Sequence, residues 1–153
     1  MIRFDNLKPG AQVLTPYLCV KDAHAMIEFY KKAFGARAEN VSLIPDTNSV
    51  MHAEVWIGDM VFFINDEFPN YNALAPVTTG HTSSSVHIQV SEGLDELYNQ
   101  AVAAGAQGVM PPADQFWGDR FAMVVDPSGH KWSIGMAIEN PPPMDLEEMK
   151  SMA

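Results

Sequence analysis

The chain has 153 residues, 47% of them hydrophobic and 18% charged, which is enough apolar material for one compact domain or for two small modules that share a core. Its formal charge of −10 disfavours nucleic acid as a partner, because a field of that sign repels phosphate. The single cysteine excludes an internal disulfide, the longest apolar runs have strand length, and the first ten residues lack the pattern of a secretion signal. We therefore expect a cytoplasmic protein with neither membrane nor nucleic acid as a partner.

The first half of the chain reads as a strand, a helix and three further strands. Asp22 is a typical N-cap for the helix, and Gly35 ends it in a position that tolerates left-handed backbone. The pair Gly58-Asp59 between two apolar runs is a strong hairpin signal. The predicted elements are a strand at 15–20, a helix at 23–34, a weaker strand at 37–44, and strands at 50–57 and 60–65.

The same order of elements returns 70 residues later in the chain. Gly35-Ala36 corresponds to Gly105-Ala106, and Gly58-Asp59 corresponds to Ser128-Gly129 at the same offset. We interpret the turn at 126–129 as turn chemistry alone. The predicted elements of this half are a strand at 84–90, a helix at 95–104, a weaker strand near 107–110, and strands at 120–126 and 130–136.

The repeat predicts an α+β fold of two tandem βαβββ modules with pseudo-twofold symmetry. Their curved sheets would form a cleft, with a helix behind each sheet, because a half of this size buries too little surface alone. The linker also permits exchange of modules between two chains. The predicted parts are a first module at 12–67, a linker at 68–83, a second module at 84–138, and a Pro-rich tail with a short helix at 139–153.

Alternation along the strands indicates which side chains face the cleft. In the strand at 84–90 the apolar residues should pack on a helix, so His87 and Gln89 face the cleft. By the same alternation along the strand at 130–136, Ser133 faces the cleft and Trp132 belongs to the core. Aromatic surfaces with a few hydrogen-bonding groups are typical of a pocket for an organic ligand. The predicted ligand-binding residues are Tyr17, Trp56, Phe63, His87, Gln89, Trp117, Arg120 and Ser133.

Three of these residues have a second interpretation. Trp117 either closes over a planar ligand or anchors its own loop. Arg120 either supplies a charge for an anionic group or pairs structurally with Asp119 or Asp126. His87 is the best candidate for a catalytic residue, as a general base near neutral pH; otherwise it is a polar residue that lines the pocket.

Three phrases and the duplicated βαβββ pattern resemble the vicinal oxygen chelate superfamily. The phrases are TPYLCVKDAHAMIEFYKKAFGA, MHAEVWIGDMVFFINDE and WGDRFAMVVDPSGHKWSI. That superfamily includes glyoxalase I, bleomycin-resistance proteins and extradiol dioxygenases, and the sequence is most similar to its PhnB-like branch. The resemblance covers about residues 12–138. It implies the fold but no single activity, because such folds host unrelated functions.

The resemblance also implies where a metal would bind. In each module, metal-using members place one ligand on the first strand and one on the last strand. Phe63 cannot ligate a metal, and neutral hydroxyls are poor ligands for a catalytic transition metal, so we expect no metal and no other cofactor. A divalent metal at His52, Glu54 and His87 is the fallback; otherwise His52 and Glu54 pair with each other or with a lysine. The four superfamily positions fall at Thr15, Phe63, His87 and Ser133.

The leading functional hypothesis is a metal-independent, homodimeric binder of a small, partly aromatic molecule. It would act by sequestration, as the resemblance to bleomycin-resistance proteins implies. The alternative is a lyase or isomerase in which His87 works with or without a divalent metal. A third hypothesis is a non-catalytic interaction domain whose cleft is empty.

Overall fold

The computed structural model describes residues 11–151 as two four-stranded sheets, each backed by a helix. The elements in chain order are β1 (Tyr17–Val20), α1 (Ala23–Phe34), β2 (Arg37–Leu43), β3 (Val50–Ile57), β4 (Met60–Asp66), a 3-10 turn (Pro69–Tyr71), α2 (Pro76–Thr79), β5 (Ser85–Val90), α3 (Leu94–Ala104), β6 (Gln107–Asp114), β7 (Asp119–Val125), β8 (Lys131–Ala137) and α4 (Leu146–Ser151). The strand orders are β1-β4-β3-β2 and β5-β8-β7-β6. The predicted α+β fold of two tandem βαβββ modules is confirmed.

The ends of α1 follow the residues that predicted them. The Asp22 carboxylate accepts a hydrogen bond of 2.9 Å from the backbone N–H of Ala25, which caps the helix. Gly35 has a φ of 65°, and its N–H donates to the carbonyl of Lys31. Within residues 11–151, no helix is long and apolar enough to cross a membrane.

The helix-bearing faces of the two sheets share one hydrophobic core. Trp132 of β8 is fully buried, and its ring centroid lies 5.0 Å from that of Phe34 and 5.2 Å from that of Phe62, both in the first module. Helix α1 also packs against α3. The prediction that Trp132 belongs to the core is therefore confirmed. Because the helix-bearing faces meet, the opposite face of each sheet turns away from the shared core.

A buried carboxylate lies at the centre of this junction. Asp126 accepts hydrogen bonds at Oδ2 from the Tyr30 hydroxyl (2.8 Å) and from Nε1 of Trp132 (2.9 Å). Its Oδ1 accepts from the backbone N–H groups of Ser128 (2.9 Å) and His130 (3.0 Å). Burial and the neighbouring carboxylate raise the pKa of the Tyr30 hydroxyl well above its ordinary value. The four donors together satisfy a charge that would be costly to bury alone.

The turn at 126–129 also joins the second module to the first, so the interpretation of turn chemistry alone is wrong. The Ser128 hydroxyl accepts a hydrogen bond of 2.6 Å from the backbone N–H of Lys21. Nε2 of His130 lies 2.8 Å from the carbonyl oxygen of Cys19. At Gly129, a Cβ atom would lie 2.7 Å from the backbone nitrogen of Val77 in α2, so the linker helix requires a glycine there. Sequence spacing alone did not reveal these contacts.

Candidate ligand-binding site

The outward face of the first sheet carries a cluster of three rings, which we name the first open face: Tyr17, His52 and Phe63. The Tyr17 hydroxyl lies 2.9 Å from Nδ1 of His52, and the centroids of the His52 and Phe63 rings are 4.8 Å apart. Tyr17 is 54% exposed, although partial burial raises the pKa of its hydroxyl. Burial also raises the pKa of the neighbouring Cys19 thiol to about 11, which agrees with a cysteine that is not a nucleophile.

Trp56 extends the same face along β3. Its Nε1 donates a hydrogen bond of 3.2 Å to the Glu54 carboxylate, and the Arg37 guanidinium lies 4.9 Å above its ring. Glu54 therefore pairs with Trp56 rather than with His52 or a lysine. His52 makes its hydrogen bond to Tyr17 instead.

The outward face of the second sheet carries His87, Gln89, Phe121 and Ser133, which we name the second open face. Nδ1 of His87 lies 2.8 Å from the Ser133 hydroxyl, and Nε2 lies 3.0 Å from Oε1 of Gln89. Ser133 is only 5% exposed and lies beneath the imidazole. The His87 and Phe121 rings are nearly parallel, at 12°, with centroids 6.3 Å apart. Phe121 was missed from the sequence, although alternation with the buried Ala122 could have indicated it.

Trp117 lies at the margin of the second open face. It is 49% exposed, and its ring centroid lies 5.7 Å from that of Phe121 and 5.2 Å from that of Phe116. The adjacent Gly118 has a φ of 99°, a conformation that favours glycine and turns the chain back toward β7. The exposed indole therefore extends the aromatic surface that Phe121 begins.

Arg120 lies apart from the other candidates. Its guanidinium donates two hydrogen bonds, of 2.6 and 2.7 Å, to the Asp95 carboxylate of α3, and a third of 2.7 Å to Asp114. The hydrogen bond from Arg120 lowers the pKa of the Asp95 carboxyl below its ordinary value. The predicted pairing with Asp119 or Asp126 is wrong, because alternation along β7 directs Arg120 to the helix-bearing face while Phe121 occupies the open face. Its charge is already matched by two carboxylates there.

A cleft of about 370 Å³ lies between the modules, beside the edge strand β5. His87 and Gln89 belong both to this cleft and to the second open face. The side-chain amide of Gln12 donates to the carbonyl of Val61 (2.7 Å) and accepts from its N–H (2.9 Å), which fixes the segment before β1 as one wall. The other lining residues are mostly apolar: Leu14, Pro16, Ile57, Met60, Phe62, Val86, Ile88 and Trp132.

Strand register identifies the residues that correspond between the modules. Tyr17 lies opposite Phe63 in the parallel pair β1/β4, as His87 lies opposite Ser133 in β5/β8. The position equivalent to His87 is therefore Tyr17, at the same offset of 70 residues, and the assignment of Thr15 is wrong because that residue precedes β1.

These corresponding positions do not fit a divalent metal. Phe63 has no donor atom, the Ser133 hydroxyl is buried, and both ring nitrogens of His87 lie within hydrogen-bonding distance of side-chain oxygens. The fallback residues His52 and Glu54 lie on the first open face, while His87 lies on the second. Among the described residues, 11–151, no three His, Cys, Asp or Glu side chains form a group that could hold a metal ion.

Comparison with known proteins identifies the family of the chain. The family model for the Glyoxalase/Bleomycin resistance protein/Dioxygenase superfamily matches residues 11–134, and the chain belongs to that superfamily. An uncharacterized protein of Mycobacterium bovis is 35% identical over 149 residues, which cover 95% of this chain and 93% of that protein.

Two solved structures share the fold. TioX from Micromonospora sp. ML1 is 26% identical, with a TM-score of 0.66, over 84% of this chain and 100% of that one. A Bacillus cereus structure described as a PhnB protein is 18% identical, with a TM-score of 0.62, over 82% of this chain and 100% of that one. These structures show the fold, and the family model shows the superfamily, so the predicted resemblance is confirmed at that level.

Proposed function

We propose that this protein binds a small, partly aromatic organic molecule without a bound metal and acts by sequestering it. The observation that carries the proposal is the set of side chains at the four corresponding positions: Tyr17, Phe63, His87 and Ser133. They offer two aromatic rings and a hydrogen-bonded imidazole, whereas a metal would need several nitrogen or oxygen atoms that are free to ligate it. Exposed rings beside a few polar groups are the surface that an organic ligand requires.

A second copy of the chain would complete the site. The first and second open faces both turn away from the shared core, so one chain brings together Tyr17 with Phe63, and His87 with Phe121, but no ring contact between residues 11–151 joins the two clusters. Leu14, at the mouth of the cleft, is exposed and apolar. A homodimer that sets the first open face of one protomer over the second open face of its partner would enclose a ligand on two sides and cover this surface.

The dimer is tested by sedimentation equilibrium. We expect the wild-type chain to sediment as a dimer and Leu14→Glu to weaken the dimer, because the substitution places a charge in an apolar interface. Tyr71→Glu is the matched control, since Tyr71 is 87% exposed in the linker. A wild-type protein that remains a monomer at every concentration would contradict the shared site.

Ligand binding is tested on protein treated with EDTA, using a set of planar aromatic compounds and NMR titration. We expect binders that shift the resonances around Trp117 and Phe121, and we expect Phe121→Ala to weaken their binding about fivefold, because a stacked aromatic contact contributes on the order of 1 kcal/mol. Tyr71→Ala, which removes an exposed ring in the linker, should leave the affinity unchanged. Binding that appears only after a metal is added, or turnover that His87→Ala abolishes, would favour the enzyme instead.

A further inference from the structure

A glycine lies at the centre of the second open face. Strand register aligns Gln89 of β5, Gly135 of β8 and Phe121 of β7 in one row. A Cβ atom at position 135 would lie 2.8 Å from Oε1 of Gln89 and 2.9 Å from Cε1 of His87. Gly135 is not among the residues with positive φ, so its backbone does not require a glycine. The side chains of His87 and Gln89 occupy the space of a Cβ atom, so a larger residue at position 135 would displace them.

The hydrogen bonds above Gly135 have a defined direction. Oε1 of Gln89 only accepts, so Nε2 of His87 carries the hydrogen of that 3.0 Å contact. In the neutral imidazole Nδ1 then accepts from the Ser133 hydroxyl at 2.8 Å. The chain of donors therefore runs from Ser133 through His87 to Gln89. Successive hydrogen bonds of this kind polarise one another and fix the orientation of the amide.

The hydrogen-bonded series ends at the side-chain amide of Gln89, whose nitrogen is an exposed donor. Within the described part of the molecule, the side-chain nitrogen of Gln89 has no hydrogen-bond partner, and Gln89 is exposed at the cleft. Phe121 presents its ring at the other end of the row, nearly parallel to His87. The formal charge of −10 disfavours an anionic ligand. An N–H donor beside parallel rings in a negative field suits a planar group with a neutral acceptor oxygen.

We propose that Gly135 is a positioning residue for specificity, and that it allows His87 and Gln89 to recognise a neutral planar molecule that bears a carbonyl oxygen. The carbonyl accepts a hydrogen bond from the amide nitrogen of Gln89, while the planar ring lies against Phe121. This inference rests on the proposed function, because it names the ligand class of the same site.

The test uses three compounds on one naphthalene ring: 2-naphthamide, 2-naphthoate and 2-ethylnaphthalene. They are titrated into the full chain, treated with EDTA, and the side-chain amide resonances of Gln89 are followed by NMR. We expect the amide to bind about tenfold more tightly than either of the others: the hydrocarbon lacks the acceptor oxygen, and the carboxylate keeps an acceptor but brings a negative charge to a protein whose formal charge is −10. We also expect it alone to shift the Gln89 resonances.

Two variants separate positioning from stability. Gly135→Ala should remove the preference for the amide by displacing His87 and Gln89, while the thermal midpoint changes little. Gln89→Glu keeps the shape but replaces the donor with an acceptor, so it should abolish the preference even if Gly135→Ala misfolds. Gln107→Glu adds the same charge to an exposed position on β6 and should leave the preference intact.

The possible results fall into separate groups. Equal binding of all three compounds, or an amide that binds without shifting the Gln89 resonances, would overturn the assignment of the ligand class while the binding function stands. A preference that survives both Gly135→Ala and Gln89→Glu would overturn the role of Gly135. If none of the compounds, nor any planar aromatic in the wider set, binds, the proposed function fails and this inference fails with it.

Discussion

Asp126→Asn is expected to lower the free energy of unfolding by about 3 kcal/mol or more, because it replaces a buried, fully hydrogen-bonded carboxylate by an amide. Asp126 accepts from Tyr30, Trp132 and two backbone N–H groups. An amide has one acceptor oxygen, so its NH₂ group would face at least one of these donors. The buried donor would then lose its partner without gaining water.

Chemical denaturation followed by circular dichroism measures this loss. Asp59→Asn is the matched control, because Asp59 is exposed in the corresponding turn of the first module. Tyr30→Phe, which removes one donor and leaves the carboxylate, should cost less, about 1–2 kcal/mol. A loss below about 1 kcal/mol for Asp126→Asn would show that the carboxylate contributes little to the junction between the modules.

Trp132→Ala is expected to lower the free energy of unfolding by about 3–5 kcal/mol, because it leaves a large cavity in the core that both modules share. The Trp132 ring contacts Tyr30, Phe34 and Phe62 of the first module. Its loss should therefore destabilise both modules together, and the variant, like the wild-type protein, should unfold in a single transition.

Trp117→Ala is the control for this substitution, since it removes the same ring from a half-exposed loop. Its expected effect on stability is small. If Trp132→Ala instead produced two separate transitions, with the first module unchanged, the modules would not depend on a common core.

The sequence alone predicted the modules because their signals are local. Asp22 and Gly35 mark the ends of α1, and the alternation around His87 places that residue on the open face. The register between paired strands could not be predicted from such local signals. The position equivalent to His87 was assigned to Thr15 instead of Tyr17, because the pairing of β1 with β4 joins segments far apart in the chain.

The rest of the site depends on contacts between distant segments. The sequence suggests Arg120 as a ligand contact because it does not reveal the partner of that residue: Asp95 lies on α3, 25 residues earlier. Gln12 gave no strand signal, yet its amide pairs with the backbone of Val61, 49 residues later. The space above Gly135 is defined only by the side chains that fill it. Such packing is a tertiary property that periodicity does not encode.

Elemental analysis of the purified full chain by mass spectrometry, before and after incubation with Zn²⁺, Ni²⁺, Mn²⁺ and Fe²⁺, tests the central claim most directly. The arrangement of Tyr17, Phe63, His87 and Ser133 predicts no stoichiometric metal under any of these conditions. About one metal ion per chain, lost on substitution of His87 by Ala, would contradict the account and indicate a metalloenzyme with an unusual ligand set.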